Sequence, residues 1–486
     1  MPDPLAGPGQ TGLDPADLDP QSWPDFRAAA HRLLDACIDR LEGARAHPWQ
    51  PVPDAVRQGY AISAEGSNEA AIVERLVRDV LPHGTGNTHP AFWGWVHGSG
   101  LASGVLSAMV EATINANCGG RAHGAVCMER AVIDWARKVM GLPEGASGVL
   151  VTGTSQATVI ALQAARLRLV PDLRRVGQGG ARLVAYGGAG VHQAAAKAME
   201  LLGMGREALR LVEGGARGPD LAALRAAIAR DRAEGARPFA LIATAGSVDL
   251  GRFDDLHMLA DLAAQEGLWL HVDGAFGAWT RLAADPWRGL SAGIERADSI
   301  ACDFHKWMYV PYDCGLVLMR DEAAHRAAFA ARPAYLAGQA MGLGGGDPWF
   351  CDYGIDLSRG NRALKVWTAL ELYGAGRMGA AISRNCELAA LMGGLVEVAP
   401  GLALAAPVVS NVCVFTALAG APADQRGAAN TAIAQALQLS GQAVFSTTLV
   451  EGVTCLRAAI TNHRSRDGDV EGAIAAVVAE AARVIS

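Results

Sequence analysis

The sequence predicts an α/β fold: a seven-stranded, mostly parallel sheet with helices on both faces, an N-terminal helical segment and a small α+β C-terminal domain. The first observation is an alternation that begins near Gly148, where short apolar runs take turns with Ala-rich stretches of helical length. Strands covered on both faces read as unbroken apolar runs, and parallel neighbours need a crossover, so this alternation is the pattern of a parallel sheet. The second observation is a change of texture after a long helix that begins near Gly379, where fewer strand-like and helix-like segments follow.

Residues 1–24 are rich in Pro, Gly and Asp and are expected to be poorly ordered. Phe26, Leu33, Leu34, Cys37, Ile38 and Leu41 then recur at the spacing of one helix face, until Pro48, Pro51 and Pro53 break the pattern. Further helices are expected over 69–80, 101–114 and 129–140. The seven strands are placed at 148–152, 182–186, 209–212, 239–244, 268–273, 299–302 and 315–319. A helix over 361–373 and the long helix from 379 lead into strands at 408–416, 442–448 and 455–460, with helices at 431–439 and 470–484. The expected division is a tail and helical segment (1–100), a large α/β domain (101–375) and a small α+β domain (376–486).

The chain has 486 residues, of which 51% are hydrophobic and 19% charged, with a formal net charge of -7. This mild acidity, without a Lys/Arg run, argues against a nucleic-acid partner. Nine scattered cysteines without C-x-x-C spacing fit a reduced, intracellular protein. No signal peptide is evident, and no run approaches the ~18 apolar residues needed to span a membrane. A cytoplasmic location is expected, with no metal site.

Ligands of open α/β sheets bind beyond the carboxyl ends of the strands. Asp273 ends the run Leu268-Trp-Leu-His-Val-Asp273, and the small Gly274 and Ala275 after it would let a flat ring lie close. The alternative is an ordinary strand-end carboxylate that caps a turn. Lys306, in His305-Lys306-Trp307, follows the strand at 299–302; it is either a structural or solvated lysine or a Schiff-base nucleophile. Thr152-Gly-Thr-Ser-Gln156 joins a strand to a helix, which makes either a phosphate cradle or a plain N-cap. His192 follows another strand, as a satisfied polar side chain or an imidazole stacked on a ring. Taken together, a phosphate cradle, a stacking imidazole, a carboxylate for a pyridinium and a lysine are the set that pyridoxal 5'-phosphate (PLP) requires.

With these residues in place, the chain resembles the group II PLP-dependent amino-acid decarboxylases of fold type I, whose members act on aromatic amino acids, glutamate, histidine and tyrosine. The similarity runs from about Trp23 to the C-terminus. It rests on His89-Pro-Ala-Phe-Trp-Gly-Trp95, Gly148-Val-Leu-Val-Thr-Gly-Thr-Ser155, Ala243-Thr-Ala-Gly-Ser247, His271-Val-Asp-Gly-Ala-Phe276, His305-Lys-Trp307, Ser358-Arg359 and Asn462-His-Arg464. The resemblance implies that Lys306 forms the Schiff base, Asp273 pairs with the pyridine nitrogen, and Ala275 and His192 cover the two ring faces. Thr154 and Ser155 would bind the phosphate, with His305 and Ser247 nearby. It also implies a homodimer with active sites at the interface. Asp303 stands where relatives often carry Asn at the phosphate, so it is not assigned as a phosphate ligand.

The expected reaction is decarboxylation of an L-amino acid to its amine and CO2. The alternative is other PLP chemistry on the same scaffold: oxidative deamination to an aldehyde, transamination or carbon–sulfur lysis. In the family a loop tyrosine protonates Cα; Tyr353 is the first candidate and Tyr335 the second, although Tyr353 would equally serve as packing under the loop. Phe92, Trp95 and Arg359 are candidates for the substrate side chain. The tryptophan cluster would equally serve as interface core, and Arg359 as an anchor to a carboxylate.

Overall fold

The computed structural model describes residues 18–331 and 339–485, so Tyr335 and the tail 1–17 lie outside the described residues. The helix Trp23–Glu42 starts before the expected end of the tail. The Ser22 hydroxyl accepts the Asp25 N–H at 3.3 Å, and Pro24 occupies the first turn, where its missing N–H is no loss.

In the described residues the chain forms β1 (Ser147–Val151), β2 (Leu183–Gly188), β3 (Leu209–Val212), a small hairpin of β4 (Gly214–Gly215) and β5 (Gly218–Pro219), then β6 (Arg237–Thr244), β7 (Trp269–Asp273), β8 (Ser299–Asp303) and β9 (Gly315–Met319). Apart from the hairpin they make one seven-stranded sheet in the order β1-β9-β8-β7-β6-β2-β3. From β8 through β3 all pairings are parallel, whereas β9 runs antiparallel to both β8 and β1. The segment joining β8 to β9 is too short for a crossover helix, which forces the reversal. All seven predicted strands are present. Their side chains and the helices on either face share one apolar core.

A second sheet, order β10-β11-β13-β12, is antiparallel throughout: β10 (Leu402–Leu404), β11 (Val412–Ala417), β12 (Ser446–Val450) and β13 (Val453–Ala459). The sequence offers no sign of β10, which is too short to show a period. The helices expected at 361–373 and from 379 are one element, Arg362–Val398, broken at Gly374 (φ 68°, ψ 157°), a conformation that favours glycine.

The second sheet also holds an N-terminal segment. Trp93 is fully buried in its core beside Phe445, and the Ala459 N–H donates to the Trp93 carbonyl at 2.8 Å. Burying one such indole contributes on the order of 2–3 kcal/mol. Along the same segment the Arg457 Nη1 donates to the Trp95 carbonyl (2.9 Å), and the Thr461 hydroxyl donates to the His97 carbonyl (2.8 Å). Asn462 Nδ2 reaches the His89 carbonyl at 2.8 Å, and Arg464 Nη1 the Ser99 carbonyl at 2.9 Å. The Asn462-His-Arg464 motif is therefore a clamp on the backbone between His89 and Gly100.

Arg359 locks the helix Gly124–Val139 to the main sheet. Its guanidinium is buried against both carboxylate oxygens of Glu129, and it also donates to the carbonyls of Cys118 and Leu150. Glu129 Oε1 in turn accepts the Leu150 N–H at 3.1 Å. Removing one partner would strand the other charge in the core. Arg359→Ala is expected to lose about 3–5 kcal/mol in urea unfolding, and the Arg359→Met/Glu129→Met pair to recover much of that loss.

Candidate active site

Three parallel strands end together at one edge of the main sheet. Thr244 of β6 lies opposite Asp273 of β7, and Asp273 lies opposite Ala301 of β8. Because β9 runs the other way, its first residue, Gly315, lies opposite both Val151 and Asp303. A Cβ at Gly315 would fall 2.5 Å from the Gly153 Cα and 2.7 Å from Asp303 Oδ1, so only glycine lets the β1 loop close onto β8. The loops beyond this edge enclose a cavity of about 540 Å³.

On one side of the cavity the helix Thr154–Leu169 begins. The Thr154 N–H donates to Asp303 Oδ1 at 2.7 Å, and its buried Oγ1 has no hydrogen-bond partner among the described residues. The other Asp303 oxygen, Oδ2, lies 2.8 Å from Lys306 Nζ. His305 Nδ1 accepts the Cys314 N–H at 3.1 Å, which leaves the proton of the neutral ring on Nε2, 3.8 Å from Asp303 Oδ2. Burial keeps this imidazole below its ordinary pKa, which favours that neutral form.

Asp273 is buried at the floor, with Oδ1 accepting the Ala275 N–H at 3.1 Å. Burial pushes its carboxyl up, against the pull of Lys306 and His192. His192 caps the helix Gln193–Leu201 through Nδ1, which accepts the Ala194 N–H at 3.2 Å, and it also lines the cavity. It serves as polar cap and cavity wall at once. Thr244 Oγ1, also on the lining, is a second buried hydroxyl without a partner among the described residues.

The remaining wall is aromatic. Trp95, His97 and Tyr312 face the cavity, on the segment that the Asn462-His-Arg464 clamp holds and on the loop after Lys306. His97 stacks on Phe92 with ring centroids 5.8 Å apart, and Tyr312 packs 4.5 Å from the His305 ring. A Cβ at Gly98 would lie 2.4 Å from the carbonyl oxygens of His305 and Lys306, so glycine is what allows this segment to lie against the lysine loop.

Of the residues singled out in the sequence, Thr154, Ser155, His192, Asp273, Ala275, His305, Lys306 and Trp95 line this one cavity. Four others do not. Ser247 faces an adjoining cavity, where its Oγ accepts the Arg252 N–H at 3.1 Å. Phe92 is buried behind His97, and Arg359 is taken up by Glu129. Tyr353 lies beside Ser147 and Gly148, at the opposite end of β1, with its hydroxyl donating to Glu322. Tyr353 is thus turned away from the cavity, at odds with the expectation that it reaches Cα. The sequence reading missed Thr244 and Tyr312; a polar residue at the end of a central strand and an aromatic in the lysine loop were the available signals. Nothing local marks Arg457 and Thr461 as supports of the wall.

The family model described as the pyridoxal-dependent decarboxylase conserved domain matches residues 53–417. The chain belongs to this family. The enzyme is a PLP-dependent carboxy-lyase, an amino-acid decarboxylase. It is 28% identical over 451 residues to an aromatic-L-amino-acid decarboxylase of Bacillus atrophaeus, covering 91% of this chain and 92% of the relative. It is also 28% identical over 480 residues to an L-2,4-diaminobutyrate decarboxylase of Rhizobium meliloti, covering 96% and 93%. The fold matches the crystal structure of Oryza sativa TDC with PLP and tryptamine, with a TM-score of 0.87, 23% identity, and 97% and 100% coverage.

The cavity suits PLP on its own chemistry. Two buried hydroxyls, Thr154 Oγ1 and Thr244 Oγ1, want partners; a buried carboxylate at Asp273 wants a cation; and a lysine amine reaches the same space. Asp303 is the exception, an anion already seated at the helix N-terminus where a phosphate would bind. Tyr353→Phe tests the placement of that residue. Enzyme assays are expected to show kcat and the amine-to-CO2 ratio unchanged within about twofold, with a stability loss of about 1 kcal/mol from the missing Glu322 hydrogen bond.

Proposed function

We propose that the enzyme decarboxylates an L-amino acid with an aromatic side chain. Supporting this is the wall formed by Trp95, His97 and Tyr312. The two carboxylates on the lining are spoken for, Asp273 by the pyridine nitrogen it would face and Asp303 by Thr154 and Lys306, which leaves no free anion for a basic side chain among the described lining residues. Bound PLP supplies an electron sink for the pair left at Cα when CO2 departs.

The protein's part is placement. Lys306 Nζ would make the covalent link to the cofactor. Asp273 holds a proton on the pyridine nitrogen, because an adjacent carboxylate favours the cationic ring and the cation relieves the cost of burying the carboxylate. His192 and Ala275 would enclose the ring, and Thr154, Ser155 and His305 would hold the phosphate. With Tyr353 engaged by Glu322, we assign the proton that returns to Cα to Tyr335, which lies outside the described residues.

We infer that the enzyme is a homodimer whose interface borders the cavity. This reading is supported by Trp95, half-exposed at the cavity mouth, and by the apolar row Leu106, Met109, Val110 and Ile114 on the outer face of the helix Ser103–Ile114. The scattered cysteines, none spaced as C-x-x-C, support a cytoplasmic location. The apolar core around Phe415, Phe445 and Leu456 supports a separate C-terminal unit after about residue 375, although Val412, Val414 and Cys455 of its sheet pack into the main core and the segment around Trp93 packs with the C-terminal sheet.

A screen of the amino acids for CO2, amine, ammonia and peroxide tests the substrate class. Aromatic substrates are expected to give amine and CO2 in equal amounts, and Trp95→Ala to raise their KM about tenfold. A preference for a diamino acid would refute the aromatic reading. Tyr335→Phe is expected to divert product to aldehyde, ammonia and peroxide; unchanged amine formation would remove Tyr335 from the proton step.

A further inference from the structure

We propose that Asp303 is an internal anion that competes with the cofactor phosphate for the helix N-terminus, and so sets how tightly the enzyme holds PLP. The inference rests on the assignment of Lys306 and the Thr154–Ser155 cradle to PLP.

The carboxylate is not a bystander. Asp303 ends β8 and is 1% exposed. Oδ1 takes the Thr154 N–H at 2.7 Å, the donor that the helix Thr154–Leu169 offers to the cavity, and Oδ2 holds Lys306 Nζ at 2.8 Å. This one side chain engages both the helix N-terminus and the lysine amine, the two places where PLP would attach. Gly315 is pressed against the same carboxylate, where an added Cβ would lie 2.7 Å from Oδ1, so the side chain has little room to swing away.

A phosphate arriving at Thr154 and Ser155 meets this charge in a buried site, where repulsion between anions is weakly screened. An asparagine here would present an amide to the phosphate in place of a negative charge. Asp303 therefore sets an electrostatic cost on acceptance of the phosphate, a cost that a cofactor without phosphate does not meet.

The test compares PLP with pyridoxal, which carries the same aldehyde and ring but no phosphate. Apoenzyme of the wild type and of Asp303→Asn is titrated with each compound, and dissociation constants are read from tryptophan fluorescence and cofactor absorbance. Asp303→Asn is expected to bind PLP about tenfold more tightly or better, while its affinity for pyridoxal changes by less than about threefold. Equal tightening of both compounds would place the whole effect on Lys306 and overturn the proposal, as would weaker PLP binding or no change. If Asp303→Asn does not fold, Asp303→Ser, which removes the charge and falls short of Thr154, carries the same expectation. A wild type that binds neither compound would overturn the cofactor assignment itself rather than the role of Asp303.

Discussion

The in-register parallel pairing of β6, β7 and β8 is the constraint on which the site depends. It brings Thr244, Asp273 and the end of β8 to one edge, with Asp273 opposite both Thr244 and Ala301. A slip of one residue would turn every side chain to the other face of the sheet. The short β8–β9 connection then does two things. It reverses β9, which brings Gly315 against Gly153 and closes the cradle, and it keeps His305 and Lys306 over the strand ends. A carboxylate, a lysine and a helix N-terminus thus meet in a buried space without a long loop having to be ordered.

The second sheet contributes by gripping backbone. Its strand β13 and the residues after it hold the carbonyls of Trp93, Trp95 and His97 in turn. The aromatic wall is therefore set by two parts of the chain more than 350 residues apart in sequence, as the Arg457–Trp95 contact shows. Because the wall is held through main-chain contacts, its place in the fold does not depend on which side chains it carries.

Much of this was legible in the sequence, for a physical reason. Buried parallel strands leave unbroken apolar runs, and functional residues at their carboxyl ends follow those runs directly; Asp273 and Lys306 could be read this way. Tyr353 could not. A tyrosine near a Gly-rich loop looks the same whether it reaches a substrate or hydrogen bonds to Glu322, and only the fold shows that it sits at the wrong end of β1. Arg359 was ambiguous for a similar reason, since its partner Glu129 lies 230 positions away. Tyr312 and Thr244 were missed because neither belongs to a pattern until the strand ends are brought together. Asp303 stood out as an acid at a phosphate site, and the structure gives that oddity two partners, Thr154 and Lys306.

The central claim is that Lys306 is the covalent anchor of the cofactor. Reduction of the PLP-loaded enzyme with borohydride, followed by proteolysis and mass spectrometry, locates the modified lysine directly. The account predicts a single pyridoxyl-lysine, at Lys306, that is absent from Lys306→Ala. Stoichiometric label on another lysine, such as Lys197 or Lys365, with Lys306 unmodified, would contradict it.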